Sequence, residues 1–334
     1  MATGRNLVAD AGELLPSREG RSRVAVIHQP ATVAVARTVA DAVAGAGSRV
    51  SMREVPDREG AKTLGVVEEL AHWLNTEGLN RHDTIIGVGG GALTDVAGFV
   101  GAVYLRGIET IQVPTSLLGA VDAAIGGKTA VNIDGKNLVG AFRLPARVVI
   151  DIDTLEQLPE SLLREGAAEA LKAGLIGDET LVELYERSGL AASLDAVVDR
   201  AVGVKVAVVN EDFDESGRRA ILNYGHTVGH AVEIAAGLSH GEAVAVGMVA
   251  AGAASERTVG FAEADRQREI IAALGLPVAV PGVDRDRVLE LMALDKKRTS
   301  TGLNMVLLEA VAVPVVREVD DASVHEALAA VGVD

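Results

Sequence analysis

The feature that most constrains this chain is a repeated change of period in its first half. Short β-branched runs end in glycine or hydroxyl residues, and a helical stretch follows each. The clearest case is Asp83-Thr-Ile-Ile-Gly87-Val-Gly89-Gly90-Gly91-Ala92, a strand that breaks into glycines and opens a helix carrying Thr94 and Asp95. Upstream, Val24–His28 reads as a buried strand, Ala34–Ala44 as an Ala-rich helix and Arg49–Val55 as a strand. A polar turn from Pro56 to Thr63, with Asp57 and Lys62, then leads into a helix reaching about Asn75. Downstream, Thr110–Ser116 is a strand ending in hydroxyls and Leu117–Ile125 reads as a helix carrying Asp122. Thr129–Asn137 is a hairpin turning at Asp134-Gly135, and Val148–Asp151 closes the series. Such alternation builds a parallel sheet with ligands at the carboxyl ends of its strands.

Gly87-x-Gly89-x-x-Ala92 matches the loose dinucleotide fingerprint, in which glycines bring backbone close to a pyrophosphate at a helix N-terminus. No clear acidic residue follows about twenty positions on to take the ribose, so a purely structural glycine turn stays open. Gly126-Gly127-Lys128-Thr129 resembles the end of a phosphate loop but lacks the earlier glycine and the preceding strand. A nucleoside triphosphatase is therefore rejected.

From Leu158-Pro159 onward the pattern turns helical: Glu165–Leu175, Thr180–Ser188, Leu194–Val209, a histidine-bearing segment, and helices to the end. The apolar run 302–310 is readable as strand or core. Three of the seven histidines fall between 226 and 240. His226 and His230 stand four apart, so both imidazoles leave one helical face as a metal pair would, and His240 offers a third ligand. Arg219 lies one helical turn before Asn223 and about two before His226, which puts it on their face.

Composition narrows the chemistry. The 334 residues suffice for two domains, and with 2% aromatics the cores must be aliphatic. A net charge of −16 opposes nucleic acid and anionic membranes as partners, and favours a small phosphorylated substrate held by a local cluster of cations. The chain has no cysteine, so a metal must be held by His and carboxylate. The longest apolar run, Ala243–Ala254, is far short of the roughly 20 residues of a membrane span, and the chain reads as cytoplasmic. Only seven of 31 basic residues are Lys, placed mostly beside Gly, Asn or Asp, where a compact ammonium has a use that a guanidinium fork does not.

Taken together, the motifs resemble the dehydroquinate synthases, members of the sugar-phosphate cyclase family. The resemblance runs from about Pro56 to Leu308 in one order. It rests on Gly89-Gly-Gly-Ala-Leu-Thr-Asp95, Tyr104-Leu-Arg106-Gly107, Val113-Pro-Thr-Ser-Leu-Leu118, Asp122-Ala-Ala-Ile-Gly-Gly-Lys128-Thr129, Gly135-Lys136-Asn137-Leu138, Ala168-Glu169-Ala-Leu-Lys172, Asn223-Tyr-Gly-His226-Thr-Val-Gly-His230, His240-Gly-Glu242 and Asp295-Lys-Lys297. It implies an α/β, Rossmann-like domain with a parallel sheet over residues 1–157 that binds NAD. A mostly α-helical domain over 158–334 would bind metal and substrate, with the active site in the cleft between the two. It also implies a homodimer that uses a divalent metal, Zn2+ or Co2+. The activity implied is conversion of a phosphorylated keto acid, 3-deoxy-D-arabino-heptulosonate 7-phosphate, to 3-dehydroquinate plus phosphate in the shikimate pathway. Transient oxidation by NAD, phosphate elimination, re-reduction and aldol closure would follow one another.

By the same resemblance Glu169, His226 and His240 are the metal ligands, with His230 behind them or transferring a proton. Asp57, Lys62, Gly90, Gly91, Asp95, Thr115, Ser116, Lys128, Lys136 and Thr154 fall where the family binds NAD. Asp122, Asn137, Lys172, Lys205, Arg219, Asn223, Lys296 and Lys297 fall where it holds substrate, and Arg106 is where a neighbouring subunit's arginine reaches the phosphate. Catalytic work is implied for Asp122, Lys128, Lys172, Lys205, Arg219, Asn223 and His230. The chain departs from the pattern at Tyr224 and Val228, where phenylalanines are common, and at Ser116, where a second threonine is common. A cyclase making an aminodehydroquinate, valiolone or inosose, and a metal-dependent polyol dehydrogenase, are the competing expectations.

Overall fold

The computed structural model describes residues 1–13, 23–294 and 303–334. The chain divides into two compact units, Met1–Pro159 and Glu160–Asp334. The first contains β1 (Ala2–Gly4), β2 (Arg23–His28), α1 (Val33–Gly45), β3 (Arg49–Glu54), α2 (Leu64–Thr76), β4 (Thr84–Gly89) and α3 (Gly91–Val103). It continues with β5 (Glu109–Pro114), β6 (Lys128–Val131), β7 (Val139–Phe142), β8 (Arg147–Asp151) and α4 (Ile152–Glu156). Among the described residues, six strands form one parallel sheet in the order β1-β8-β5-β4-β2-β3.

The sheet is covered on both faces, which is why its inner strands read as unbroken apolar runs. Ala25, Ile27 and Ile85 point to one face and pack against Val66, Leu70 and Leu74 of α2 and Leu93, Val96 and Val100 of α3. The alternate residues Val24, Val26, Ile86 and Val88 point to the other face, against Ala36, Val39, Ala40 and Val43 of α1. Thr63 caps α2 by accepting from the Val66 amide at 3.2 Å. Because β3 and β4 lie on opposite sides of β2, the strand order reverses between β2 and β4. Ligands of open α/β sheets bind beside the carboxyl ends of strands at such a reversal.

The structure differs from two local expectations. The segment Leu117–Ile125 is not an ordinary helix; it contains one wide π turn over Gly119–Ala123. The β6–β7 hairpin pairs Val131 with Val139, so its loop spans residues 132–138 rather than a two-residue Asp-Gly turn. Left-handed backbone at both Asp134 and Asn137 makes that longer loop.

The second unit contains α5 (Glu160–Gly177), α6 (Glu179–Ser188), α7 (Leu194–Glu211), α8 (His226–Ala236), α9 (His240–Val259), α10 (Ala264–Ala273) and α11 (Arg285–Leu294). A hairpin of β9 (Leu303–Ala310) and β10 (Val313–Val319) and a last helix, α12 (Asp321–Ala330), follow. β9 falls on the run that the sequence left open as strand or core, and its antiparallel partner β10 departs from the helical expectation for the end of the chain. α5 is covered on all sides, with Gly166 to Ile176 continuously buried. α9 is nearly as deep, with thirteen buried residues along its length. No helix among the described residues is long and apolar enough to cross a membrane.

Small residues let α8 and α9 approach at backbone distance. A Cβ on Gly247 would lie 1.9 Å from the Gly225 carbonyl oxygen and 2.8 Å from the Gly229 amide nitrogen. Gly225 itself is left-handed (φ 79) and closes on the Met248 amide. Gly241 likewise lets the start of α9 touch the backbone of Glu165 on α5. Gly247→Ala should therefore destabilise the protein by about 1–3 kcal/mol or more, since backbone cannot move aside as a side chain can. Urea unfolding of the variant against the parent checks this, and equal midpoints would contradict it.

Candidate active site and metal centre

The chemistry of the second unit begins with two charges that α5 cannot expose. Glu169 and Lys172 sit one turn apart inside its buried run, each only 2–3% exposed, and the Lys172 Nζ makes a close ion pair with Glu169 Oε2. Burying a carboxylate is costly unless it is paired and further coordinated. The remaining coordination comes from two histidines at helix starts. His226 is the first residue of α8 and His240 the first of α9, where a Ser239–Glu242 capping box holds the backbone.

The two rings are oriented by acceptors behind them. His226 Nδ1 lies 3.2 Å from the Tyr224 carbonyl oxygen, and His240 Nδ1 lies 3.2 Å from Glu233 Oε2. A carbonyl and a carboxylate can only accept, so Nδ1 carries a proton in both rings. Both Nε2 atoms face Glu169 Oε1, at 3.5 Å from His226 and 3.4 Å from His240. Those separations suit a shared ion better than direct hydrogen bonds. A tetrahedral ion with ligands at about 2.1 Å has ligand edges of about 3.4 Å. No well-formed hydrogen bond satisfies Glu169 Oε1, and ligand atoms of Glu169, His226 and His240 all lie within 4.8 Å of one another. The residues fit a divalent cation held by one carboxylate and two imidazoles.

The electrostatics agree with that fit. Burial by itself would raise Glu169, but the Lys172 ammonium, with His226 and His240, holds its carboxyl well below the usual range. Burial and then the charge of Lys172 push His226 well below the ordinary histidine value, so it is neutral, as a ligand must be. Burial opposes charge on His240, yet Glu169 and Glu233 overcome it and push the ring up to about 10. Besides Lys172, the site favours one further positive charge beside Glu169, which a proton on His240 or a metal ion would supply.

His230, one turn along α8, is exposed, with its ring centroid 5.1 Å from that of His226. Spacing alone pairs it with His226, but the buried carboxylate selects His240 for the cluster instead. Lys205 is buried on α7. Arg219 is 1% exposed and lies in a 3-10 turn over Arg218–Asn223. The helix does not run through to His226, because left-handed Gly225 interrupts it, so a shared helical face is not what places Arg219. The Asp212 carboxylate does so by accepting from the amides of Ser216, Gly217 and Arg219 at 2.8–2.9 Å, while the guanidinium donates to the Phe213 carbonyl. Asn223 Nδ2 donates to Glu215 Oε1 at 3.3 Å. The departure at Tyr224 is structural, its buried hydroxyl donating to Gln267 Oε1 at 2.7 Å. Lys296 and Lys297 lie outside the described residues.

In the first unit the glycine turn sits at the carboxyl end of β4, beside the strand-order reversal. Gly87 is inside β4, where a Cβ would strike Ala97 and Gln112 at 2.6 Å, so it serves helix-on-sheet packing and not the turn itself. Gly90 is the N-cap of α3 and no side chain caps it. The loop after β5 closes on it: Thr115 N donates to the Gly89 carbonyl at 2.9 Å, and a Cβ on Gly90 would lie 3.4 Å from Ser116 Oγ. This is a cradle of backbone amides at a helix start, which fits an anionic pyrophosphate.

Beside it, buried Lys62 bridges Asp95 on α3, Nζ to Oδ2 at 2.6 Å, and Asn137 Oδ1 in the hairpin loop. Asp122 and Thr154 are half-buried, and Asp57, Lys128 and Lys136 are exposed. Lys128 opens a strand, not a helix, in keeping with the rejected phosphate loop. Arg106 is exposed on a tip where Leu105 and Arg106 both have positive φ, 52 and 62. Residue-level reading of the sequence misses Glu233, whose contact with His240 on the next helix has no signal in local spacing.

Two family models match: 3-dehydroquinate synthase N-terminal over residues 52–165 and 3-dehydroquinate synthase C-terminal over 166–298. The chain is 44% identical to 3-dehydroquinate synthase of Arthrobacter sp. (strain FB24), covering 97% of this chain and 92% of that one. Among solved structures it is similar to 2-deoxy-scyllo-inosose synthase in complex with carbaglucose-6-phosphate, NAD+ and Co2+. The TM-score is 0.88 at 28% identity, over 98% of this chain and 95% of that one. It is similar also to 2-epi-5-epi-valiolone synthase from Streptomyces hygroscopicus subsp. jinggangensis 5008 with NAD+ and Zn2+ bound. There the TM-score is 0.88 at 26% identity, over 99% and 96% of the two chains.

Burial raises the Asp95 carboxyl from 3.8 to about 6 although Lys62 draws it down. Folding therefore favours protonated Asp95: its contribution to stability is complete below about pH 4 and is lost as pH rises through 6. Lys62→Met removes the opposing ammonium. Carbon-13 NMR of the carboxyl should then report a midpoint above that of the parent, and an equal or lower midpoint would show that Lys62 does not govern it.

Proposed function

The chain belongs to the 3-dehydroquinate synthase family, and we propose that it converts 3-deoxy-D-arabino-heptulosonate 7-phosphate to 3-dehydroquinate and phosphate. The observation that carries this is the buried Glu169 carboxylate, paired with Lys172 and faced by Nε2 of both His226 and His240. A polyphosphate-binding glycine turn alone would suit many enzymes. A carboxylate and two imidazoles around one point, in a chain that also has that turn, suit far fewer.

When bound, NAD supplies a hydride acceptor that also gives the hydride back, and the divalent cation supplies a Lewis acid for substrate oxygens. The protein's own groups bind and orient. Gly90, Gly91, Thr115 and Ser116 hold the dinucleotide phosphates, with Asp57, Lys62, Asp95, Lys128, Lys136 and Thr154 around the rest of the cofactor. Lys172, Lys205, Arg219 and Asn223 take the substrate's anionic and hydroxyl groups, with Asp122, Asn137, Lys296 and Lys297 contributing. Lys172 has a double use: its ammonium keeps Glu169 ionised and presents a cation where developing negative charge needs one. His230, exposed beside His226, exchanges protons with solvent during turnover.

We also assign the protein to a homodimer. The strained tip at Leu105–Arg106 carries the arginine outward, and Val103, Leu105, Leu138, Phe142 and Leu144 are all more than a third exposed. Left-handed conformations at two successive ordinary residues cost free energy that a partner's phosphate site would justify. A substrate that carries both a phosphate and a carboxylate does not cross a bilayer unaided, so the enzyme works in the cytoplasm with its supply.

Three outcomes follow. Removing metal with a chelator should abolish turnover, and Zn2+ or Co2+ should restore it; a metal-free sample with full activity would contradict the metal assignment. Absorbance of reduced nicotinamide should show no net rise while phosphate appears in step with product, whereas steady NADH formation from a simple polyol would identify a dehydrogenase. The keto-acid phosphate should be turned over far better than sedoheptulose 7-phosphate, which lacks the carboxylate, and Arg219→Ala should lower kcat/KM for it roughly tenfold or more. Equal turnover of the two sugars would move the assignment to a valiolone-type cyclase.

A further inference from the structure

His240 is the least enclosed of the three candidate ligands. Its side chain is 33% exposed, against 11% for His226 and 1% for Glu169. It follows a short turn from left-handed Gly237, and the Ser239–Glu242 capping box fixes its backbone without touching its ring. A ring on so short a tether needs its own restraint if Nε2 is to point at Glu169. One carboxylate supplies it: Glu233, two turns after His226 on α8 and 10% exposed, with Oε2 at 3.2 Å from His240 Nδ1.

We propose that Glu233 is a positioning residue of the metal site, accepting the Nδ1 proton of His240 so that this ring presents Nε2 beside Glu169 at a fixed angle. The two imidazoles are thereby oriented differently. His226 is held by a neutral carbonyl in its own segment, and His240 by an anion from the neighbouring helix. A carboxylate behind an imidazole fixes its tautomer and also makes the ring a stronger donor toward a cation. Glu233 thus couples α8 to α9 through the ligand set, in addition to the glycine contacts that bring the helices together.

The inference rests on Glu169, His226 and His240 holding a divalent cation. Parent, Glu233→Gln and Glu233→Ala proteins are titrated with Zn2+ against a chromophoric chelator, and the visible absorption of their Co2+ forms is recorded. The Ala variant should bind Zn2+ 10–100-fold more weakly, the order seen when such supporting partners are removed, with a shifted Co2+ spectrum. The Gln variant keeps an acceptor oxygen without the charge and should fall between Ala and parent. If the Ala variant does not fold, as judged by circular dichroism and NAD affinity, the near-isosteric Gln variant carries the comparison with the parent. Unchanged Zn2+ affinity and an unchanged Co2+ spectrum in the folded variants overturn the role of Glu233. A parent protein that binds no stoichiometric Zn2+ overturns the metal reading itself, which is a different result.

Discussion

The second unit depends on one costly choice, an ionised carboxylate inside a helix with no exposed face. In the apolar run of α5, Glu169 is almost fully buried. The effective cost of burying such an ion is several kcal/mol even after relaxation. Lys172, one turn away, offsets part of it, and the Nε2 atoms of His226 and His240 line up on the remaining oxygen. Replacing a buried ion pair by apolar residues of similar volume is often neutral or stabilising, so a contribution to folding does not explain the arrangement.

That choice dictates the packing around it. Two histidines from different helices must reach one oxygen, so α8 and α9 must start near α5 and near each other. Gly225, Gly229, Gly241 and Gly247 remove the side chains that would keep those backbones apart. The near absence of aromatics serves the same end, since a core of Val, Ala and Leu permits close helix approach. The polar groups that remain buried are accounted for individually, as with Tyr224 on Gln267 and Ser255 on the Leu308 amide.

The first unit uses a related device on a different scaffold. Lys62 is buried beside Asp95 and also reaches Asn137, so one ammonium ties α3 to the β6–β7 hairpin loop. In both units a lysine of a Lys-poor chain sits against a carboxylate in low-dielectric surroundings. The compact ammonium serves in each as a point charge against a buried carboxylate. The sheet supplies the rest, with its strand-order reversal at β2 and β4 and a helix start whose glycine leaves the amides uncovered.

In the first unit β2 to β6, β8 and α1 to α3 were legible because each is local, an apolar run with a period closed by glycine, proline or a hydroxyl, whereas the short β1, β7 and α4 were not read from the sequence. The same is true of α5 to α9, and motif order along the chain was specific enough to indicate the family. Spacing within one segment was less reliable. Arg219, Asn223 and His226 stand at helical intervals, but Gly225 turns left-handed between them, and Asp212 positions the arginine instead. His226 and His230 are the pair that periodicity favours, yet the candidate metal cluster takes its second imidazole from the next helix and its carboxylate from more than fifty residues away. Glu233 carried no periodic or motif signal strong enough to separate it from a solvated face. Local pattern determined which residues are helix, strand or turn, since backbone preference and burial act over a few positions. Tertiary structure alone decided which polar atoms converge, because the free energy of a buried charge depends on everything that surrounds it.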